Sequence, residues 1–347
     1  MSKKEKKKSH TFLKVFLGII IGIILLNILF FIGLYIRNVR LLKAEAKYLT
    51  PPGTYVEVDG RRIHTIVGGD AESDNVLVFL HSDNIIDDSI ALQPLWNELK
   101  NCRYVYFDRS GYGFSESSGA PKDIESIITE ARAVLKELNI EGPYTLVPFG
   151  TAGIQALYWA DTYPEEIKNI IGISMNYPEQ FTEYTTDDYC GTFNSLLLKF
   201  TKIGGHRIFK NKMFPTDKYG IFTDEQMNIR NALAGKYAYT EDMYEEQRNT
   251  VNNAKKTAEL GFPENVDIYL IYNNLFLEPY LSTDDEVKEL YTEGMEENVD
   301  YAEVFNSAFR DYYGNYKNVT IDEIEGPGRL YIYNPTKLAE LINIYLE

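Results

Sequence analysis

Residues 15–36 are 22 consecutive positions in which Asn27 is the one strongly polar side chain. At about 1.5 Å of rise per residue, such a run covers the roughly 30 Å hydrocarbon core of a bilayer. Beyond Pro51 and Pro52, which cannot continue a helix, the pattern breaks into short segments. Segments 54–58 and 61–67 flank Asp59-Gly60 and predict a hairpin. Segment 76–80 is apolar at every position, as in a strand covered on both faces of a parallel sheet. A helical spacing near 91–99 leads to a predicted strand at 103–107, a helix at 124–138, a strand at 144–149, a helix at 152–162 and a strand at 169–173. From about 175 to 262 the strand signal stops, and helices and loops rich in Tyr, Asn and charge are expected. The alternation resumes with strands at 266–272 and 319–323 and a last helix at 335–346. This rhythm predicts an α/β domain over 52–347, a mostly parallel sheet wound with helices on both faces, with 175–262 inserted as a helical lid.

Charge sharpens the division. Residues 1–47 hold ten Lys/Arg and two Glu, whereas 48–347 hold 25 and 49, so a +8 anchor precedes a −24 domain. A domain that acidic lacks the basic footprint phosphate backbones require, which excludes nucleic acid as a partner. Six lysines (Lys3, Lys4, Lys6, Lys7, Lys8, Lys14) precede the apolar run, and Arg37, Arg40, Lys43 and Lys47 follow it. The denser cluster places the 1–14 tail in the cytoplasm, 15–36 across the cell membrane, 37–51 as a juxtamembrane stalk and the domain outside. A cleaved signal peptide is the alternative, and Ala44-Glu45-Ala46 has the form of a cleavage site. The apolar run, however, exceeds the 7–15 residues usual for such peptides and ends well before that triplet. Cys102 and Cys190 are one possible pair, not a disulfide framework. Asn318-Val-Thr320 is a sequon with meaning only in a glycosylating host.

The stretches most specific for a fold are Val-Leu-Val-Phe-Leu-His at 76–81, Tyr-Phe-Asp-Arg-Ser-Gly-Tyr-Gly-Phe-Ser at 106–115, and Tyr163-Pro164-Glu165-Glu166 before an apolar strand. With the opening hairpin at 51–64 they resemble the α/β-hydrolase superfamily, in particular its membrane-anchored, lid-bearing bacterial members. The resemblance covers 52–347 and implies a Ser–acid–His triad, a nucleophile elbow of the form G-x-S-x-G and an oxyanion loop after the third strand.

The chain departs from each of these. Ungapped alignment at the elbow puts Gly150 at the serine position, flanked two residues away by Pro148 and Ala152. A shift by one makes Thr151 the nucleophile, but sets bulky Phe149 where the turn needs a small residue. The position expected to carry the histidine holds Arg329, whose guanidinium cannot accept a proton at neutral pH. The four histidines are His10, His64, His81 and His206, so none follows the last strand. Near the acid position stands Phe276, with Glu278 as a shifted substitute. The oxyanion loop reads His81-Ser82 followed by Asp83, Asn84, Asp87 and Asp88. Carboxylates there oppose an oxyanion.

The expectation is therefore a catalytically inactive hydrolase-fold protein without metal or cofactor, acting through a pocket around His81, Ser82, Gly150, Thr151 and Arg329 that holds a small molecule, a peptide or a protein segment. The alternative is an esterase or peptidase using Thr151 or another hydroxyl with His81 or His206, and Glu278 as a fallback acid. A purely structural surface protein is a third reading. His64, Ser115 and Ser174 are expected to be structural, His206 a solvated loop residue, and the Asp83/Asp87/Asp88 and Asp284/Asp285/Glu286 clusters solvated surface rather than cation sites.

Overall fold

A computed structural model describes residues 3–347 apart from 84, 118, 120, 211–213, 218–219, 276–300 and 328. Helix α1 (Lys3–Glu45) runs through the apolar stretch and continues beyond it. Among the described residues it is the one helix long and apolar enough to cross a membrane. The expected stalk is thus helical as far as Glu45, followed by a 3₁₀ turn at Ala46–Tyr48.

The domain is built on β1 (Thr54–Val58), β2 (Arg61–Gly69), β3 (Val76–Leu80), helices α2 (Asp88–Ala91) and α3 (Gln93–Trp96), β4 (Arg103–Phe107), α4 (Ile124–Glu137), β5 (Tyr144–Pro148), α5 (Ala152–Thr162) and β6 (Ile167–Ile173). The helical insertion carries α6 (Glu179–Thr182), α7 (Thr186–Tyr189), α8 (Thr192–Lys202), a 3₁₀ helix (Gly205–Phe209), α9 (Asp224–Tyr237) and α10 (Glu241–Leu260). The sheet then resumes with β7 (Asp267–Leu275), α11 (Tyr301–Tyr313), β8 (Val319–Pro327), α12 (Leu330–Tyr333) and α13 (Pro335–Tyr345). Strand order is β1-β2-β4-β3-β5-β6-β7-β8. β2 is antiparallel to β1 and β4, and the remaining neighbours are parallel.

β3 shows why the pattern specifies this arrangement. All five of its residues are buried. Val76, Val78 and Leu80 join the core under α4, α5 and α11, with Trp159, Phe309 and Tyr313. Leu77 and Phe79 join the opposite core, with Leu92, Trp96, Tyr331 and Ile342. The period-two alternation of a strand thus feeds two apolar layers, each buried side chain contributing about 1.5–3 kcal/mol. The single helix expected near 91–99 is instead two short ones, α2 and α3, because Pro94 enters as the second residue of α3.

Several smaller expectations resolve here. Cys102 and Cys190 are both buried free thiols, and burial raises the Cys102 pKa to about 11. Asn318 of the sequon donates from Nδ2 to the carbonyls of Pro263 and Val266, at 2.9 and 2.6 Å, so its amide braces the entry to β7. Phe276, Glu278 and the Asp284/Asp285/Glu286 cluster lie outside the described residues. Phe79 stacks on Phe149 at 6.1 Å and meets Trp96 edge-on at 5.9 Å. Phe79→Ala is expected to cost about 3–5 kcal/mol, read as a lowered urea midpoint at unchanged slope.

Candidate functional site

The turn at 106–115 is organised around one carboxylate. Asp108, 1% exposed, accepts from Tyr106 Oη at 2.6 Å and from the Phe114 amide at 3.0 Å. The His64 ring bridges Asp108 Oδ2, at 2.8 Å, and the Pro52 carbonyl. Ser115 donates to the Asp108 carbonyl and accepts from the His64 amide, at 2.6 and 2.8 Å. Gly111 has φ +81°, and a Cβ there would lie 2.2 Å from the Asp242 side chain, so this turn and α10 approach each other only because the residue is glycine. The turn presents Arg109 inward, 3% exposed. Its Nη2 pairs with Glu246 of α10 at 2.6 Å, and its Nη1 donates to the His81 carbonyl at 2.6 Å. Gln155 of α5 donates to the same Glu246 at 3.3 Å.

At the end of β5 the backbone turns through Gly150, φ +49°. Thr151 follows in helical conformation, φ −62° and ψ −18°. The strained elbow position is therefore Gly150, and Thr151 belongs to the start of α5. The Thr151 hydroxyl is 2.9 Å from Ser82 Oγ and accepts from the Asp83 amide at 3.1 Å. Oxyanion holes in this fold take one N–H from the residue after the nucleophile and one from the loop after β3. Here a loop N–H is already satisfied by the chain's own hydroxyl. Thr151, Asp83, Gln155 and Glu246 line a cavity of about 20 Å³. A single water needs about 10–15 Å³, so this space holds little more than one water.

His81 is 1% exposed. Its Nδ1 lies 2.8 Å from the Ser82 carbonyl and therefore carries the proton, while Nε2 accepts from the Arg109 amide at 3.2 Å. Both ring nitrogens are committed. Burial, reinforced by the adjacent Arg109 charge, pushes its pKa well below the usual histidine range. His206 is not in a solvated loop: it is 2% exposed in the 3₁₀ helix, stacks on Phe214 at 5.8 Å and contacts the Gly235 carbonyl through Nε2 at 3.2 Å. Burial lowers its pKa to about 4.

Arg329 opens α12 and lies 3.4 Å from Asp87, which Arg230 of α9 engages at 2.7 Å. Asp83, Asp87 and Asp88 are 3%, 5% and 0% exposed, so this loop is a buried ionic layer rather than solvated surface. Two guanidiniums make the burial of Asp87 tolerable, and its pKa is lowered by them against the pull of desolvation. Asp88 accepts from Tyr331 Oη at 3.0 Å, and burial raises its pKa to about 7. Asp83 is raised to about 6, by burial and then by the Glu246 charge. The structure thus brings Ser82, Gly150 and Thr151 together, turns His81 toward Arg109 and sends Arg329 to Asp87. Sequence reading missed Glu246 and Arg230 and took Asp87 as solvated, because partners 137, 143 and 242 residues apart carry no local signal.

A second concavity lies away from the elbow. It measures about 530 Å³ and is walled by Tyr55 of β1, Phe114 in the turn, Leu198 of α8, Tyr237 at the end of α9 and Tyr239 between α9 and α10, with Leu49 just after α1 and its 3₁₀ turn. Its wall carries three basic side chains, Arg62, Lys202 and Lys236, and three acidic ones, Glu116, Glu241 and Asp242. Arg62 pairs with Glu116 at 2.8 Å and Lys202 with Glu241 at 2.5 Å, while Lys236 lies over the Tyr237 ring.

No family model matches the chain. It is 25% identical over 313 residues to the uncharacterized protein YbdG of Bacillus subtilis (strain 168), covering 89% of this chain and 90% of that one. Among solved structures it is similar to a loop variant of the haloalkane dehalogenase DbeA from Bradyrhizobium elkanii, with TM-score 0.56, 14% identity, and 84% and 95% of the two chains covered. It is likewise similar to an esterase from Exiguobacterium antarcticum, with TM-score 0.53, 18% identity, and 85% and 99% covered. The chain has the α/β-hydrolase fold.

Two outcomes follow from this geometry. A Cβ at Gly150 would sit 2.9 Å from Ser82 Oγ on a backbone of positive φ. Gly150→Ser is expected to cost about 1–3 kcal/mol, and Ser82→Gly in the same chain to recover part of it, measured by thermal melting. Between the ordinary carboxylate range and about pH 7 the unfolded chain releases the Asp88 proton and the folded chain keeps it, so stability falls as pH rises through that window. Asp88→Asn keeps an acceptor for Tyr331 and removes this fall. Its Tm should exceed that of the unsubstituted chain at about pH 8 and match it near pH 4.

Proposed function

We propose that this is a membrane-anchored, extracytoplasmic member of the hydrolase fold that does not hydrolyse and acts by binding. The observation that carries the reading is the elbow: a glycine occupies the nucleophile position, and the neighbouring threonine hydroxyl is spent on the Asp83 amide. Acyl transfer in this fold needs an exposed nucleophile, a base to take its proton and free donors for the oxyanion. His81 has no lone pair to offer, and Arg329 is a permanent cation held by Asp87. With α1 as an uncleaved anchor and the lysine-rich end inside, the domain and its helical lid lie outside the cell.

The binding site we assign is the 530 Å³ cleft, within the 300–1,000 Å³ usual for ligand pockets. Its tyrosines offer aromatic faces with polar hydroxyls and Phe114 an apolar face, and its three basic and three acidic side chains suit a small molecule or short peptide without large net charge. The competing reading is hydrolysis, favoured by the dehalogenase and esterase among the structural neighbours. It would run on Thr151 or on the neighbouring Ser82 hydroxyl.

Thermal-shift measurement of the full chain against short peptides, acyl esters and cell-wall fragments tests the assignment. A bound ligand raises Tm with concentration, by about 2.7 kcal/mol of added stability at a hundredfold excess over Kd. Tyr237→Ala should abolish the rise and leave the ligand-free Tm nearly unchanged, because Tyr237 is only half-buried. A shift that survives Tyr237→Ala would remove the cleft from the account, and ester turnover lost in Thr151→Ala would remove the non-hydrolytic reading.

A further inference from the structure

The C-terminal part of α1 does not stand free of the domain. Leu34 and Asn38 are buried, and Leu41, Leu42 and Glu45 half-buried, a spacing that puts them on one helical face. The face packs on the helical insertion. Arg207 donates to Asn38 Oδ1 at 2.7 Å and to both carboxylate oxygens of Glu45 at 2.8 and 2.6 Å. Gly204 lets the 3₁₀ helix approach closely: a Cβ there would meet the Asn38 side chain at 2.4 Å.

This contact fixes the depth of the insertion relative to the apolar run, which ends at Ile36. Along a helix Asn38 lies about 3 Å and Glu45 about 13 Å beyond that point. The polar layer on each side of a bilayer is about 5–8 Å thick, so Arg207 spans it and the residues beside Arg207 sit at its level. Those residues are Ile208 and Phe209, 46% and 53% exposed. The rings of Phe209 and Phe200 of α8 lie 6.2 Å apart. Phe193 and Leu196 share the outward face of α8 with Phe200, and are 74% and 57% exposed. Charge changes over the same stretch. Residues 189–216 contain five Lys/Arg and no carboxylate, within a domain of 25 Lys/Arg and 49 Asp/Glu.

We propose that the insertion rests on the bilayer, with Phe193, Leu196, Ile208 and Phe209 buried at the boundary between headgroups and acyl chains, and with Lys199 and Lys210 among anionic headgroups. Apolar residues ringed by lysines are the composition of a membrane-surface element, and the contact continues one that α1 already makes. This placement rests on α1 spanning the membrane and is independent of the cleft's ligand.

Full-length chain reconstituted in phosphatidylglycerol–phosphatidylcholine vesicles tests it, with single Phe193→Trp, Phe209→Trp and Leu25→Trp variants read against acyl-brominated lipids. The emission of the buried Trp96 and Trp159 is subtracted using the unsubstituted chain. Quenching and a blue shift are expected at positions 193 and 209, at a depth of about 5–10 Å, and stronger quenching at 25. Quenching at 25 alone would overturn the proposal and leave the anchor intact. Quenching at none of the three would overturn the anchor as well. A blue shift at 193 and 209 that ignores bromine and fades on dilution would assign the face to a second copy of the chain, and would equally overturn it.

Discussion

The buried pair of Arg109 and Glu246 is the contact on which the arrangement around the elbow depends. Each side chain is 3% exposed, and the guanidinium also holds the His81 carbonyl while Gln155 of α5 steadies the carboxylate. One interaction thereby joins the turn after β4, the loop after β3, the helix after the elbow and the long helix α10 of the insertion. Such a pair adds little net stability, because desolvation offsets much of its attraction. Its effect is on geometry. Loss of either partner leaves an uncompensated buried charge, so the insertion and the sheet are held in one relative position.

That constraint ties up the residues that a sequence comparison would nominate. His81 is held between the Ser82 carbonyl and the Arg109 amide, and proton abstraction would need it to leave both. The Thr151 hydroxyl is engaged by Ser82 and by the Asp83 amide. Arg329, at the position expected for a base, serves with Arg230 to neutralise Asp87. The groups are connected, but their connections are those of a clamp. Among the described residues, a concavity of ligand size lies beside the 106–115 turn, near Leu49.

Much of the fold was legible in the sequence because its signals are local. The all-apolar β3, the helical spacing of α4 and the glycine-bearing turn at 106–115 each declare themselves within about fifteen residues. The absence of a histidine after β8 is equally a fact of sequence. What sequence did not reveal is who pairs with whom. Asp87 reads as one carboxylate among several in a polar loop, and its burial follows only when α9 and α12 deliver Arg230 and Arg329. His206, flanked by two glycines and an arginine, reads as loop; its burial depends on Phe214 and on the docking of the 3₁₀ helix against α1. The 37–51 stretch reads as a tether, yet its helical face at Asn38 and Glu45 finds a partner 162 to 169 residues away.

The central claim is that no hydroxyl at the elbow is activated. Labelling of the purified full-length chain with a fluorophosphonate, followed by intact-mass and peptide analysis, tests this most directly, because the reagent reports nucleophilicity and needs no knowledge of a substrate. The account predicts no adduct. An adduct on Thr151 that disappears in Thr151→Ala would contradict it.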